Sequence, residues 1–93
     1  MVYIVTYDLK SPNDTSDDYK RVMDGLKSTY GAWCHLELSV WLVAADQTAT
    51  EVRDEVKKLL NPADRLFVAR LSGNWGSFNL GKERNTWLKQ QTF

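Results

Sequence analysis

From Val2 to Tyr7 the chain reads VYIVTY, a run in which every residue is β-branched, aliphatic or aromatic. A strand with one wet face alternates apolar and polar positions, and this one does not, so the run predicts a central strand packed on both faces. That requirement weighs heavily on a short chain, because each side of the sheet must then be covered. At 93 residues, 43% of them hydrophobic, the sequence supports one globular domain near the small end of what folds alone. Burial against a partner would help a domain of this size, so an oligomer is expected. The run stops at Asp8, a carboxylate where a buried strand ends, and SPNDTSDD then turns polar.

The remaining elements follow from spacing. The polar stretch supplies turn residues and an N-cap at Thr15, with Asp17 and Asp18 favourably placed against a helix dipole. Tyr19, Val22, Met23, Leu26 and Tyr30 recur at helical intervals, and Gly31 stands where a left-handed C-terminal residue is wanted, which predicts a helix over residues 16 to 30. WCHLELSVWLVAA is too apolar for a loop and predicts two antiparallel strands, or one strand bent at Ser39. Thr48 and Glu51 form a capping box ahead of Val52, Val56, Leu59 and Leu60, a second helix expected to end at Asn61-Pro62. RLFVARLSG reads as another strand, NWGSFNLG as an irregular turn, and KERNTWLKQ as a short terminal helix or tail.

The order β-α-β-β-α-β plus an appendage is that of an α+β, ferredoxin-like split β-α-β fold, with both helices on one face of a four-stranded antiparallel sheet. Residues 1–72 form the domain, and residues 73–93 are a loop and short helix packed on it or on a dimer partner. The other sheet face is expected to be bare. Apolar on consecutive strands, it predicts a homodimer formed through that helix-free face.

Twelve basic and twelve acidic residues cancel, which removes the broad cationic field that makes nucleic-acid or anionic-membrane binding the default. One cysteine forms no internal disulfide, and no charged leader or bilayer-length apolar run stands out, so a cytoplasmic protein without membrane association is expected.

Asp8 has two readings: a ligand for Mg²⁺, which takes one or two carboxylates and keeps several waters, or a cap on the following loop's N–H groups. Alternation sends Cys34 and His35 to opposite faces, which argues against a shared zinc; Cys34 then reads as a small core residue. His35 shares parity with Glu37 and Ser39 in a small polar row, either as a hydrogen-bonded edge histidine or as a base or ligand. Trp33 and Trp41 are core or dimer-interface residues, or an exposed aromatic face that stacks bases. Trp75 either closes over a pocket or packs the terminal segment down. GNWGSFNLGK lacks the GK[ST] ending of a phosphate loop, and Lys20, Arg21, Asp24 and Lys27 read mainly as a solvated helix face.

YIVTYDL, YKRVMDGLKSTYG, LSVWLV and ADRLFVARL together resemble the SinR-like proteins and the small CRISPR-associated protein that partners the integrase in spacer acquisition. The resemblance runs from residue 2 to residue 72. It implies a ferredoxin-like homodimer whose strand-end aspartate is the catalytic metal ligand, here Asp8, with Mg²⁺ or Mn²⁺ as cofactor. It also implies substrate-binding roles for Tyr7, Arg21, Ser39 and Trp41. A basic residue often found before the serine is replaced near His35, and the loop after Asp8 is longer and acidic, with Asp14, Asp17 and Asp18. Three functions follow as expectations. One is a weak metal-dependent endoribonuclease or endodeoxyribonuclease, in which Asp8 of two subunits shares an ion, Tyr7 and Ser39 position the site, and Arg21 and His35 touch phosphate. Another is a non-catalytic nucleic-acid adaptor, or a sponge for a nucleotide or small ligand with the Trp75 loop as a lid. The last is an inhibitor docking onto a larger protein complex.

Overall fold

The computed structural model describes residues 1–10 and 16–93. Its elements are β1 (Val2–Asp8), α1 (Ser16–Thr29), β2 (Ala32–Glu37), β3 (Val40–Ala44), α2 (Ala49–Lys57), β4 (Arg65–Leu71) and α3 (Lys82–Lys89). The four strands form one antiparallel sheet in the order β2-β3-β1-β4. β1 is thus central, as its unbroken apolar run requires. Val5 lies opposite Trp41 on one side and Val68 on the other.

Odd-numbered residues of β1 face the helix layer. Tyr3, Val5 and Tyr7 join Trp41 and Val43 of β3, Val22 and Leu26 of α1, and Val52 and Val56 of α2 in one buried cluster. Each such Val or Leu contributes about 1.5–3 kcal/mol relative to exposure. Tyr3 donates its hydroxyl proton to the Gln47 carbonyl just ahead of α2. The capping box forms as expected: Thr48 Oγ1 accepts from Glu51 N at 3.2 Å, and Glu51 Oε1 accepts from Thr48 N at 3.0 Å.

Boundaries differ in two places, and the expected hairpin carries an irregularity. α2 stops at Lys57, short of Asn61-Pro62, because Leu59 N bonds Val56 O at 2.9 Å and Leu60 N bonds Lys57 O at 3.1 Å, a tighter three-residue spacing. Gly31 is not left-handed; among the described residues positive φ occurs at Asn79 (59°) and Gly81 (94°), and α1 passes almost directly into β2. The apolar stretch from Trp33 is a hairpin turning at Leu38 and Ser39, with a register shift between His35 and Glu37. That bulge breaks the expected polar row: His35 lies opposite Trp41, of the helix-facing set, and Glu37 opposite Val40, of the other. The expected N-cap Thr15, with Asp14, lies outside the described residues.

The second sheet face is not bare. Val2, Cys34 and Leu42 are buried there with Leu88 of α3, and Ile4, Leu36, Leu71, Trp75, Leu80, Trp87 and Phe93 pack around them. Residues after β4 therefore fold back over the sheet, because its apolar even-numbered positions need a cover and the chain supplies one. The cover is partial: Phe67 is 62% and Leu38 63% exposed. Among the described residues no helix is long and apolar enough to cross a membrane.

Candidate functional site

Asp8 ends β1 on the second face, opposite to Tyr7, and its cross-strand partner is Arg65. Both are exposed. The Asp8 carboxylate meets the Lys10 ammonium at 2.7 Å, with both side chains about half exposed. Lys10 was not singled out by motif, yet two residues on in an extended chain returns a side chain to the same side. The Lys10 N–H bonds Asp64 Oδ1 at 2.8 Å, and Asp64 Oδ2 accepts from Asn61 N at 2.8 Å, so Asp64 pins the start of the loop to the turn before β4. A shallow depression beside Asp8 is lined by Thr6, Tyr7, Asp8, Arg65, Leu66 and Phe67.

The other site residues gather beneath the opposite face. Tyr7 N bonds Ser39 O at 3.1 Å, and the Tyr7 hydroxyl donates to Leu38 O at 3.4 Å while accepting from Trp41 Nε1 at 3.0 Å. His35 stacks on Trp41, ring centres 4.0 Å apart, with Nε2 set 3.4 Å from Leu38 O, where it is the donor. This cluster braces the β2–β3 turn against the end of β1. Burial pushes the Tyr7 hydroxyl above its ordinary pKa, against the lowering effect of the Trp41 bond, so it stays neutral as a hydrogen-bonding strut. Trp41 has no exposed surface, which closes it to direct substrate contact in the folded chain. Its work is to hold Tyr7.

Arg21 is tied elsewhere. Its Nη1 pairs with Asp18 at 2.6 Å and its Nε donates to Leu59 O at 3.1 Å, joining α1 to the end of α2 on the helix side of the sheet. Trp75 is half-buried in the second-face cluster and packs the terminal segment down. Of the sequence-predicted residues, then, Asp8 alone stands on the open rim of the second face, and Tyr7, His35, Ser39 and Trp41 form the support behind it. Among the described residues Asp8 offers one carboxylate, paired with the Lys10 ammonium, and no cluster of three metal-donor side chains forms.

The sequence matches no protein-family model. Among solved structures the chain is similar to Streptococcus pyogenes Cas2, with a TM-score of 0.55 and 22% identity over 81% of this chain and 90% of that one. The helix-layered, four-stranded antiparallel sheet with β1 at its centre thus has a Cas2-like, ferredoxin-like fold.

Proposed function

We propose that the chain is a small homodimeric adaptor on nucleic acid, in the manner of the spacer-acquisition proteins it resembles, and that it does not cut its ligand. The observation that carries this reading is the charge around Asp8: one carboxylate stands between Lys10, its ion-pair partner, and Arg65, its cross-strand neighbour. Asp64, whose carboxylate is taken up by the Lys10 and Asn61 N–H groups, brings the described rim to two cations and two carboxylates, and the exposed Lys10 and Arg65 side chains support contact with a phosphate backbone. The neutral whole-chain charge makes that contact local and modest in affinity. The dimer is supported by the apolar strip left open on the second face, where Phe67 and Leu38 are exposed beside Thr6 and Val40.

The test combines binding and cleavage on single- and double-stranded DNA and RNA, with Mg²⁺, Mn²⁺ or chelator. Expected are binding that weakens with salt, a loss of about one unit of salt slope in Lys10→Gln or Arg65→Gln, and no product. Cleavage that needs Mg²⁺ or Mn²⁺ and disappears in Asp8→Asn would replace this reading with the metal-dependent nuclease, its ion shared by Asp8 of two chains. Failure to bind any nucleic acid would turn attention to a nucleotide sponge or an inhibitor of a larger complex.

A further inference from the structure

We infer that the cleft between the free edge of β2 and α3 binds a guanine base, carried by a mononucleotide or by an unpaired nucleotide of a strand. The cleft holds about 310 Å³, at the lower end of the range for small-molecule pockets, and is lined by Trp33, Cys34, His35, Glu83, Arg84 and Trp87. β2 is an edge strand, paired on one side only, to β3. His35 O accepts from Arg84 Nε at 2.8 Å, outside the sheet, so the His35 backbone faces away from β3, and Trp33, two residues back, faces the same way. Their N–H groups and the Trp33 carbonyl are left without a strand partner. This edge is opposite to the β4 edge where Arg65 stands, so the cleft is separate from the Asp8 rim.

α3 brings the recognition groups. Trp87 follows Arg84 by three residues and Glu83 by four, so all three share one flank of the helix. Arg84 is held in place by His35 O and by Leu80 O, which accepts from Nη1 at 3.1 Å, and among the described residues its Nη2 stays free to donate. Glu83 has no ion-pair partner among the described residues. Trp33 has the Lys27 ammonium over its ring at 5.0 Å and Trp41 packed at 5.5 Å between centres, so the half-buried Trp87 supplies the stacking surface. Burial raises the Cys34 thiol above its ordinary pKa, against the Arg84 charge, so the floor is neutral. The set is an indole wall, an acceptor-only carboxylate and, beside it, a fixed donor. Guanine matches it: the ring stacks, N1–H and N2–H donate to Glu83, and the neighbouring O6 and N7 accept from Arg84. The other bases lack paired donors beside paired acceptors. For a base within a strand the inference rests on the adaptor reading above; for a free mononucleotide it stands alone.

Calorimetric titration of the whole chain with GMP, IMP, AMP, CMP and UMP tests the site, with the Trp87 indole N–H followed by NMR. Expected are saturation by GMP below about 1 mM, a preference of about tenfold over the other four, IMP included because it lacks the N2 amino group, and a shifted Trp87 signal. Glu83 is exposed, so Glu83→Gln leaves the fold intact; it should weaken GMP about tenfold and level the preference. Lys10→Gln and Arg65→Gln should leave GMP affinity within about twofold. A second arm uses short single-stranded RNAs differing by one G or A: a G preference lost in Glu83→Gln assigns the base to a strand, and GMP binding without it assigns the free nucleotide. Equal binding of all five nucleotides, GMP affinity unchanged in Glu83→Gln, or neither GMP saturation nor a G preference overturns the site. GMP binding that disappears in Lys10→Gln or Arg65→Gln belongs to the Asp8 rim and overturns it as well. Salt-dependent nucleic-acid binding that survives any of these failures leaves the adaptor reading standing.

Discussion

Removing one oxygen from the core tests the support behind Asp8. Tyr7→Phe keeps the ring, with its tilted packing against Tyr19 at 6.3 Å between centres, and deletes the hydroxyl that accepts from Trp41 Nε1 at 3.0 Å. Trp41 has 0% exposed surface, so its indole N–H is left without an acceptor and out of reach of bulk water. A buried donor stranded in this way costs about 1–3 kcal/mol. The Leu38 carbonyl also loses a donor, but at 3.4 Å that bond was long and the nearby His35 Nε2 remains. For a domain of this size each kcal/mol moves the midpoint by about 4–8 °C, so a central loss of about 2 kcal/mol predicts a fall of about 8–16 °C. Thermal melts followed by circular dichroism and tryptophan fluorescence measure it. A companion Trp41→Phe and the double variant complete a cycle whose coupling should exceed about 0.5 kcal/mol. A Tyr7→Phe midpoint within about 2 °C of wild type, or an additive cycle, would refute the argument that this bond holds the β2–β3 turn to β1.

Asp8→Asn should cost under about 1 kcal/mol in chemical denaturation, because the Lys10 pair it breaks is solvent-exposed and such pairs contribute little; a larger loss would give Asp8 a structural role. Alkaline stability should fall. Burial, then the Glu55 carboxylate beside it, holds the Tyr30 hydroxyl far above its ordinary 10.0, and Tyr7 is raised as well. Folded pKa values above the unfolded ones mean that the native state keeps protons the unfolded chain gives up. This stabilisation is complete below pH 10 and is lost as pH climbs toward the folded values. Denaturant midpoints measured from pH 8 to 11 should drop above about 10, less steeply in Tyr30→Phe; parallel curves would remove Tyr30 from the explanation.

Local pattern carried the fold because each element announces itself within a few residues. Helical spacing from Tyr19 to Tyr30, the Thr48–Glu51 box, the ungapped β1 run and the mostly apolar β4 run are all short-range signals, and together they specify the strand order through chain connectivity. The site was less legible for the opposite reason. Arg84 to His35 O and Lys10 to Asp64 join residues 49 and 54 positions apart, which no local pattern reports. The bulge after His35 also defeats parity, since one extra residue reverses every face assignment beyond it. Residues 73–93 were expected to pack on the domain or on a partner, but the weak amphipathic character of KERNTWLKQ did not report that they lie on the second face: in α3 Leu88 is buried and Trp87 contributes only part of its surface.

The carboxylate at the end of β1 can now be placed by its layer. At odd positions Tyr3, Val5 and Tyr7 are all buried, because the α1–α2 layer runs the length of the strand. At even positions exposure grows along the chain: Val2 is buried, Ile4 and Thr6 are intermediate, and Asp8 is open. Chemistry follows that gradient, from aliphatic to hydroxyl to carboxylate, because the cover formed by residues 72–93 lies over the Val2 end and leaves the Asp8 end uncovered. Asp8 is therefore accessible where the second face gives out, which is a condition for touching a ligand. The neighbours decide what it touches. Among the described residues these are Lys10 and Arg65, with Asp64 bonded to the Lys10 N–H, and under the proposed adaptor function the two exposed cations are the groups that meet a phosphate backbone.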